Sequence, residues 1–297
     1  MHPAPSLLVF TTLSGLGFGL LFWLGIDLSP PTGWTAFAFL ALAYALALAG
    51  LAASAFHLGH RERALKAFSQ WRSSWLSREA WAAVITLLLG GGYGLTLLIG
   101  TPVLSLGWLA ALAALATVTA TAMIYAQLKT VPRWHHSSTP VLFLSYALAG
   151  GALLVGQVLA ALVLLPLTGA LQVWVWIDGD SRFARSASTL ASATGLGPQG
   201  TPRALFAPHT GGNYLTREMV FVVARRHALK LRIIALLLAV LLPVAGLLAL
   251  LLLSLPGAAL HLLALISLVS HVAGVLVSRW LFFAEAEHVV GLYYGSR

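Results

Sequence analysis

The run from Thr139 to Ile177, TPVLFLSYALAGGALLVGQVLAALVLLPLTGALQVWVWI, contains no charged residue over 39 positions. As a single α-helix rising about 1.5 Å per residue it would be roughly twice as long as the ~30 Å hydrocarbon layer is thick. The run therefore reads as two membrane spans joined by a tight turn. Gly150, Gly151 and Gly156 weaken helix in its middle, and a break near Gly156 and Gln157 leaves two halves just long enough to cross. Pro166 reads as a kink in the second half.

Working outward, six further apolar stretches near 5–27, 34–58, 79–99, 103–127, 231–254 and 258–281 are each long enough to span. The fold class is therefore all-α, a polytopic integral membrane protein of eight transmembrane helices. Composition agrees, with 59% hydrophobic and 8% charged residues in a 297-residue chain and a mean hydropathy of +0.90. No polar stretch offers a second fold, so residues 1–297 read as a single membrane domain, with 178–230 as a loop outside the bilayer. The first helix lacks a basic leader and a small-residue cleavage signature, so it reads as a retained span.

Eight spans put both termini and the loops 60–78, 128–138 and 178–230 on one side. All 17 Lys and Arg residues fall on that side or at helix ends facing it. Seven spans would scatter them. The positive-inside rule then makes the basic face, both termini and the loop cytoplasmic. A net charge of +9 without a cluster of cations and aromatics in a soluble module gives no nucleic-acid surface; anionic membrane lipid or an acidic partner subunit suits it better. The chain has no cysteine, which removes thiolate iron-sulfur ligation and thiol nucleophiles. Paired catalytic carboxylates, H-E-x-x-H spacing and a nucleophile elbow are missing too, so hydrolysis is not expected and no metal site is read.

Two groups of residues suit chemistry. The first is His57-Leu58-Gly59-His60, then Arg63, then Trp71 to Glu79, with Arg78 beside Glu79. An imidazole and a carboxylate near the membrane boundary, with arginines at hand, suit hydrogen bonding to a quinone carbonyl and transfer of its protons. Interfacial anchoring by the tryptophans and a favourable acidic helix start explain the same residues without chemistry. The second group is His271 and Arg279, about two turns apart on one helix. There the ordinary alternative is a neutral histidine bonded to a neighbouring helix. Haem ligation by His57, His261 and His271 is disfavoured by their different depths. Gly15 and Gly19 have the small-xxx-small spacing of close helix packing. In the long loop Arg217, Glu218, Arg225 and Arg226 begin a basic helix, expected from Thr216, that suits either a partner subunit or lipid phosphates.

Several short motifs resemble the membrane-anchor subunits of bacterial dimethyl sulfoxide reductase: His57-Leu58-Gly59 with Arg63-Ala64, Leu76-Ser77-Arg78-Glu79, Thr130-Val131-Pro132-Arg133-Trp134 with Thr139-Pro140, and Ser278-Arg279. The likeness extends over the whole chain and includes the eight-span plan. It implies an anchor without a redox group of its own, so neither haem nor an iron-sulfur cluster. Such an anchor binds a quinone (ubiquinone or menaquinone) and docks an iron-sulfur subunit, which exchanges electrons with a molybdopterin catalytic subunit. His57, Arg63 and Glu79 match that family's quinol-site residues. One departure matters, because the face opposite the basic loops has only short uncharged turns, which places docking on the cytoplasmic side of a bacterial inner membrane. Met1-His2-Pro3-Ala4, Ala193 to Gly197, Pro208-His209-Thr210 and Tyr214 to Met219 resemble the anchors of cytoplasmic sulfite-oxidising molybdoenzymes. The expected function is therefore a non-catalytic or quinone-reactive subunit that links sulfite oxidation to quinone reduction. The alternatives are a dimethyl sulfoxide reductase anchor oxidising quinol and a secondary transporter.

Overall fold

A computed structural model describes residues 1–206, 211, 213–220 and 223–294, without the side chains of Arg61, Tyr214 and 223–226. Among the described residues eight helices are long and apolar enough to cross a membrane: α1 (Pro5–Ile26), α2 (Gly33–Ala55), α3 (Trp75–Leu98), α4 (Leu104–Ala126), α5 (Ser138–Val155), α6 (Val158–Arg185), α7 (His227–Leu252) and α8 (Gly257–Ala284). The turn that decides the count lies where the glycines predict it. Gly156 closes α5 in the left-handed region at φ 78°, and α6 starts two residues later. A side chain there would be strained, whereas glycine closes the helix at no steric cost.

Helix α1 is the hub and packs against α2, α3, α4, α5 and α8. Its small residues allow this, since without a hydrophobic drive between helices in lipid, close van der Waals contact has to hold them. A Cβ on Gly19 would lie 1.9 Å from the Ala147 carbonyl oxygen on α5, so the two backbones touch there. Its expected companion Gly15 makes no such contact; a Cβ there would meet nothing within 4 Å. Gly17, facing Ala43 and Ala47 of α2, and Gly25, facing Gly107 of α4, are further close approaches. Large apolar side chains such as Trp34, Leu88, Leu95 and Leu112 point outward, as they must where lipid is the solvent.

Three boundaries differ from the sequence expectation. Helix α3 starts at Trp75 rather than 79, because the preceding loop is stitched to its first turns. Helix α6 does not stop at Ile177 but continues through Arg185, so the segment read as a loop from 178 is helical at its start. Its charges are stable there because Asp178 pairs with Arg182 and Arg185 along the same helix, and Asp180 finds partners on other elements. The helix expected from Thr216 is split into a single turn, Tyr214–Glu218, and a separate helix from Val223 that leads into α7.

Helix α7 contains one irregularity. A π-turn spans Leu237–Leu241, where the Leu242 N–H donates to the Leu237 carbonyl. Pro243 follows and has no N–H to give to the Ala239 carbonyl. Two carbonyls are thereby left without helical partners, and α8 supplies both: Ser270 Oγ donates to Leu238 O at 2.8 Å, and His271 Nδ1 lies 2.7 Å from Ala239 O.

Candidate functional site

The start of α3 is held by the loop before it. Gln70 N–H donates to Ser77 Oγ at 3.2 Å, the Arg78 guanidinium donates to the carbonyls of Trp71 and Arg72 at 3.0 and 2.6 Å, and Trp81 Nε1 donates to Phe68 O at 3.1 Å. These bonds face outward and fix the rotation of the helix, which turns Glu79 inward. Glu79 is only 4% exposed and accepts one hydrogen bond, from Thr121 Oγ1 of α4 at 2.6 Å. Among the described residues no cation lies within salt-bridge distance of it.

The other expected members of this group stand in different settings. His57 follows the end of α2 and is exposed. Arg63, on the 3-10 helix Arg61–Phe68, is exposed with its Nε 4.0 Å from Glu62. It lines a groove of about 370 Å³ together with His60, Lys66, Gln70, Ser74 and Ser77. Arg78 lines a second, apolar groove of about 450 Å³ with Phe68, Trp71, Trp81, Ala82 and Ile85. Neither His57 nor Glu79 lines either groove, although Ser77 and Arg78 bring both grooves to the helical turn that carries Glu79.

His271 and Arg279, paired on sequence grounds, do come together, on either side of Tyr146. The His271 ring centroid is 6.4 Å from the Tyr146 ring, and the Arg279 guanidinium lies 5.5 Å from it and 3.6 Å above Phe143. The Tyr146 hydroxyl reaches Gln172 and Ser278 at 3.1 and 3.2 Å, and Ser278 donates to Gln172 at 2.7 Å. His271 is fully buried, and its bond to Ala239 O requires the Nδ1–H tautomer. This favours the ordinary reading of that residue, as the donor completing a broken helix next door. His261 is exposed at the other end of α8.

Sequence reasoning missed a closed ring of ions on the basic face. Arg133 donates to Asp180 at 2.9 Å and to Glu285 at 2.5 Å; Arg232 donates to Glu285 at 2.8 Å and to Asp180 at 2.8 and 2.6 Å. Asp178 takes Arg182 at 2.6 Å and also Arg185. Four elements are tied together by charges far apart in sequence. The only signal available was the placement of Asp178 and Asp180 beside an apolar run that did not need to end there. Close by, His136 Nδ1 accepts the Ser138 N–H at 3.1 Å and His288 Nδ1 accepts the Val290 N–H at 3.0 Å. Desolvation, then the nearby Arg182, Arg185 and His135, hold His136 below its ordinary pKa, with Asp178 opposing. Desolvation and the amino-terminal charge do the same to His288.

Of the expected docking residues, Arg217 and Glu218 lie on the short turn Tyr214–Glu218, whose Glu218 carbonyl accepts the His2 N–H at 2.8 Å. The side chains of Arg225 and Arg226 lie outside the described residues, as do Pro208, His209 and Thr210. Among the described residues no three His, Cys, Asp or Glu side chains gather as a metal site.

Comparison with known proteins adds two findings. The sequence model of the DMSO reductase anchor subunit (DmsC) family matches residues 1–177. A sulfite dehydrogenase subunit of Allochromatium vinosum is 32% identical over 336 aligned positions that take in 100% of this chain and 99% of the relative. No solved structure matches.

Proposed function

The chain belongs to the DMSO reductase anchor subunit (DmsC) family, and from that premise we propose that it is the quinone-binding anchor of a sulfite-oxidising molybdoenzyme. As a family member it is a multi-pass membrane protein that anchors catalytic and electron-transfer subunits. In our reading the iron-sulfur subunit docks on the basic face, which is cytoplasmic in a bacterial inner membrane, over Arg217, Glu218, Arg225 and Arg226. Electrons from the molybdopterin subunit pass through it to a ubiquinone or menaquinone bound at the start of α3.

The observation that carries this reading is Glu79: a carboxylate buried at the membrane boundary, held by one hydroxyl, on the turn where two grooves meet. A quinone takes up two electrons and two protons on becoming quinol. Its head group needs a positioned proton donor and a cation to offset developing negative charge. Glu79 suits the first task and Arg63 the second, with His57 passing protons in from the aqueous side and Arg78 fixing the turn. The name of the family itself favours one further reading, the same site run backwards as a quinol oxidase for dimethyl sulfoxide reduction.

Glu79→Gln keeps the acceptor for Thr121 but cannot carry a proton. Quinone-linked turnover of the assembled complex is expected to fall about 100-fold, while turnover with a soluble dye acceptor and co-purification of the partner subunits stay unchanged. Unaltered quinone-linked turnover in Glu79→Gln would defeat the assignment. His57→Ala is expected to slow the same reaction less, because His57 is exposed and water can replace it.

A further inference from the structure

The polar groove beside the start of α3 has room, about 370 Å³, and charge presented to it. One of its walls is the 3-10 helix Arg61–Phe68, in which side chains three residues apart stand one above another. Arg63 and Lys66 therefore share one edge, about 6 Å apart in backbone rise, with His60 just before them. All three line the groove and are exposed. Small residues, Gly59, Ala64 and Ala67, leave the space between the walls open, and a Cβ on Gly59 would meet nothing within 4 Å.

The chain answers little of this charge. Glu62 takes His60 at 2.8 Å and lies 4.0 Å from Arg63 Nε, but it does not line the groove. Among the described residues Lys66 is in no ion pair. The opposite wall brings no carboxylate, since the first turn of α3 has no acidic residue and Glu79 beyond it is turned inward to Thr121. It brings hydrogen-bonding groups instead: Ser74 makes no capping bond with its hydroxyl, and the side chain of Gln70 is exposed. Two cations beside a hydroxyl and an amide suit a phosphate group.

The place of the groove decides which phosphate. It opens where α2 ends and α3 begins, at the boundary of two spans. Leu58 and Leu76, both exposed, are part of its lining, and Phe56 is exposed at the end of α2. A soluble phosphate compound has no use for these apolar side chains, which continue into the lipid-facing surfaces of the two helices. A lipid uses both parts, because its phosphate stays at the polar level while its chains enter the hydrocarbon.

We propose that this groove binds one anionic glycerophospholipid, with its phosphate diester on Arg63 and Lys66, assisted by Ser74 and Gln70, and its chains against Phe56, Leu58 and Leu76. A glycerol head group, with net negative charge, is selected over a choline head group, whose ammonium would add a further cation to the groove. Arg63 also serves the quinone reading, but the lipid site does not rest on that reading and is tested without quinone or turnover.

The test uses the full chain in detergent, titrated with phosphatidylglycerol or phosphatidylcholine, with the bound lipid counted by native mass spectrometry. One phosphatidylglycerol is expected to bind about tenfold more tightly than phosphatidylcholine. Lys66→Gln is expected to weaken it about fivefold, and Arg63→Gln with Lys66→Gln to abolish the preference. Lys129→Gln, which removes the same charge from the loop after α4, is expected to change it less than about twofold. Glu79→Gln, the variant that tests the quinone site, is expected to keep the lipid. Equal affinity for the two lipids, or equal losses in Lys66→Gln and Lys129→Gln, would overturn the proposal. So would displacement of phosphatidylglycerol by inorganic phosphate, which makes the free ion the ligand. Cross-links from Lys66 to a partner subunit in an assembled complex that retains no phosphatidylglycerol would make the groove a protein interface and overturn it as well.

Discussion

Arg133 and Arg279 both line one small cavity, and the difference between them separates two settings of a guanidinium in the interior. Arg133 is met on two edges by Asp180 and Glu285, and Arg232 closes the ring from the far side. Arg279 has only an aromatic face. In the ring, charge is spent within the chain to join the α4–α5 loop, α6, α7 and the end of α8. At Arg279 the charge rests against the faces of Phe143 and Tyr146 instead. The contrast predicts that the ring is a staple and that Arg279 contributes less to the stability of the fold.

The largest expected effect tests the staple. Glu285 is buried and shared by both arginines, so Glu285→Gln leaves two guanidiniums short of a partner. Breaking one side of such a network costs about 3–5 kcal/mol, to be read as a lowered unfolding midpoint of the chain in detergent. Asp180, about half exposed, is screened by water, and Asp180→Asn is expected to cost about 1 kcal/mol or less. Arg279→Gln is expected to cost less than Glu285→Gln, because no carboxylate loses a partner with it. A reversed order would erase the distinction between the two arginines.

The same contrast explains what could be read in the sequence. The eight helices and the turn at Gly156 were legible because each rests on local chemistry, an apolar length or a glycine in a left-handed cap. Glu79 was legible as a carboxylate beside an apolar run, although its inward rotation is set by Arg78 and Trp81 bonding back to the loop. The ring was not legible, since Arg133 and Glu285 are 152 positions apart and no local pattern announces such a pair. For the same reason the sequence places the end of α6 too early, at the first charge. The pairing of His271 with Ala239 does have a local signal. Pro243 inside an apolar helix deprives the carbonyl four residues earlier of its donor, and a buried histidine on the next helix is a natural replacement.

That repair provides the next prediction, of intermediate size. His271→Phe removes the donor and leaves the Ala239 carbonyl buried and unpaired, a loss of about 1–3 kcal/mol. Pro243→Ala gives α7 an N–H that can reach the freed carbonyl, so the double variant is expected to be more stable than His271→Phe alone. If the two substitutions simply add, the histidine is not completing the helix, and its unpartnered Nε2 regains its claim to proton chemistry.

The smallest effect concerns the aqueous edge of the staple, where neutral histidines rather than ions serve as acceptors. His136 and His288 each take a backbone N–H on Nδ1, and a protonated ring could take neither. Both are held below the ordinary value in the folded chain, while in the unfolded chain they titrate near about 6.5. Between those values the unfolded state binds more protons, so stability rises with pH through that window. It is fully present above about 6.5 and is lost progressively as the pH falls toward the folded values. Asn at both positions retains an acceptor without a titration. The unfolding midpoint of His136→Asn with His288→Asn is therefore expected to change less between pH 7.5 and pH 5, on the order of 1 °C less, than that of the wild type. Equal slopes would mean that the acid sensitivity of the basic face arises in the carboxylates of the ring instead, which would make the paired region rather than its histidine edge the part that senses protons.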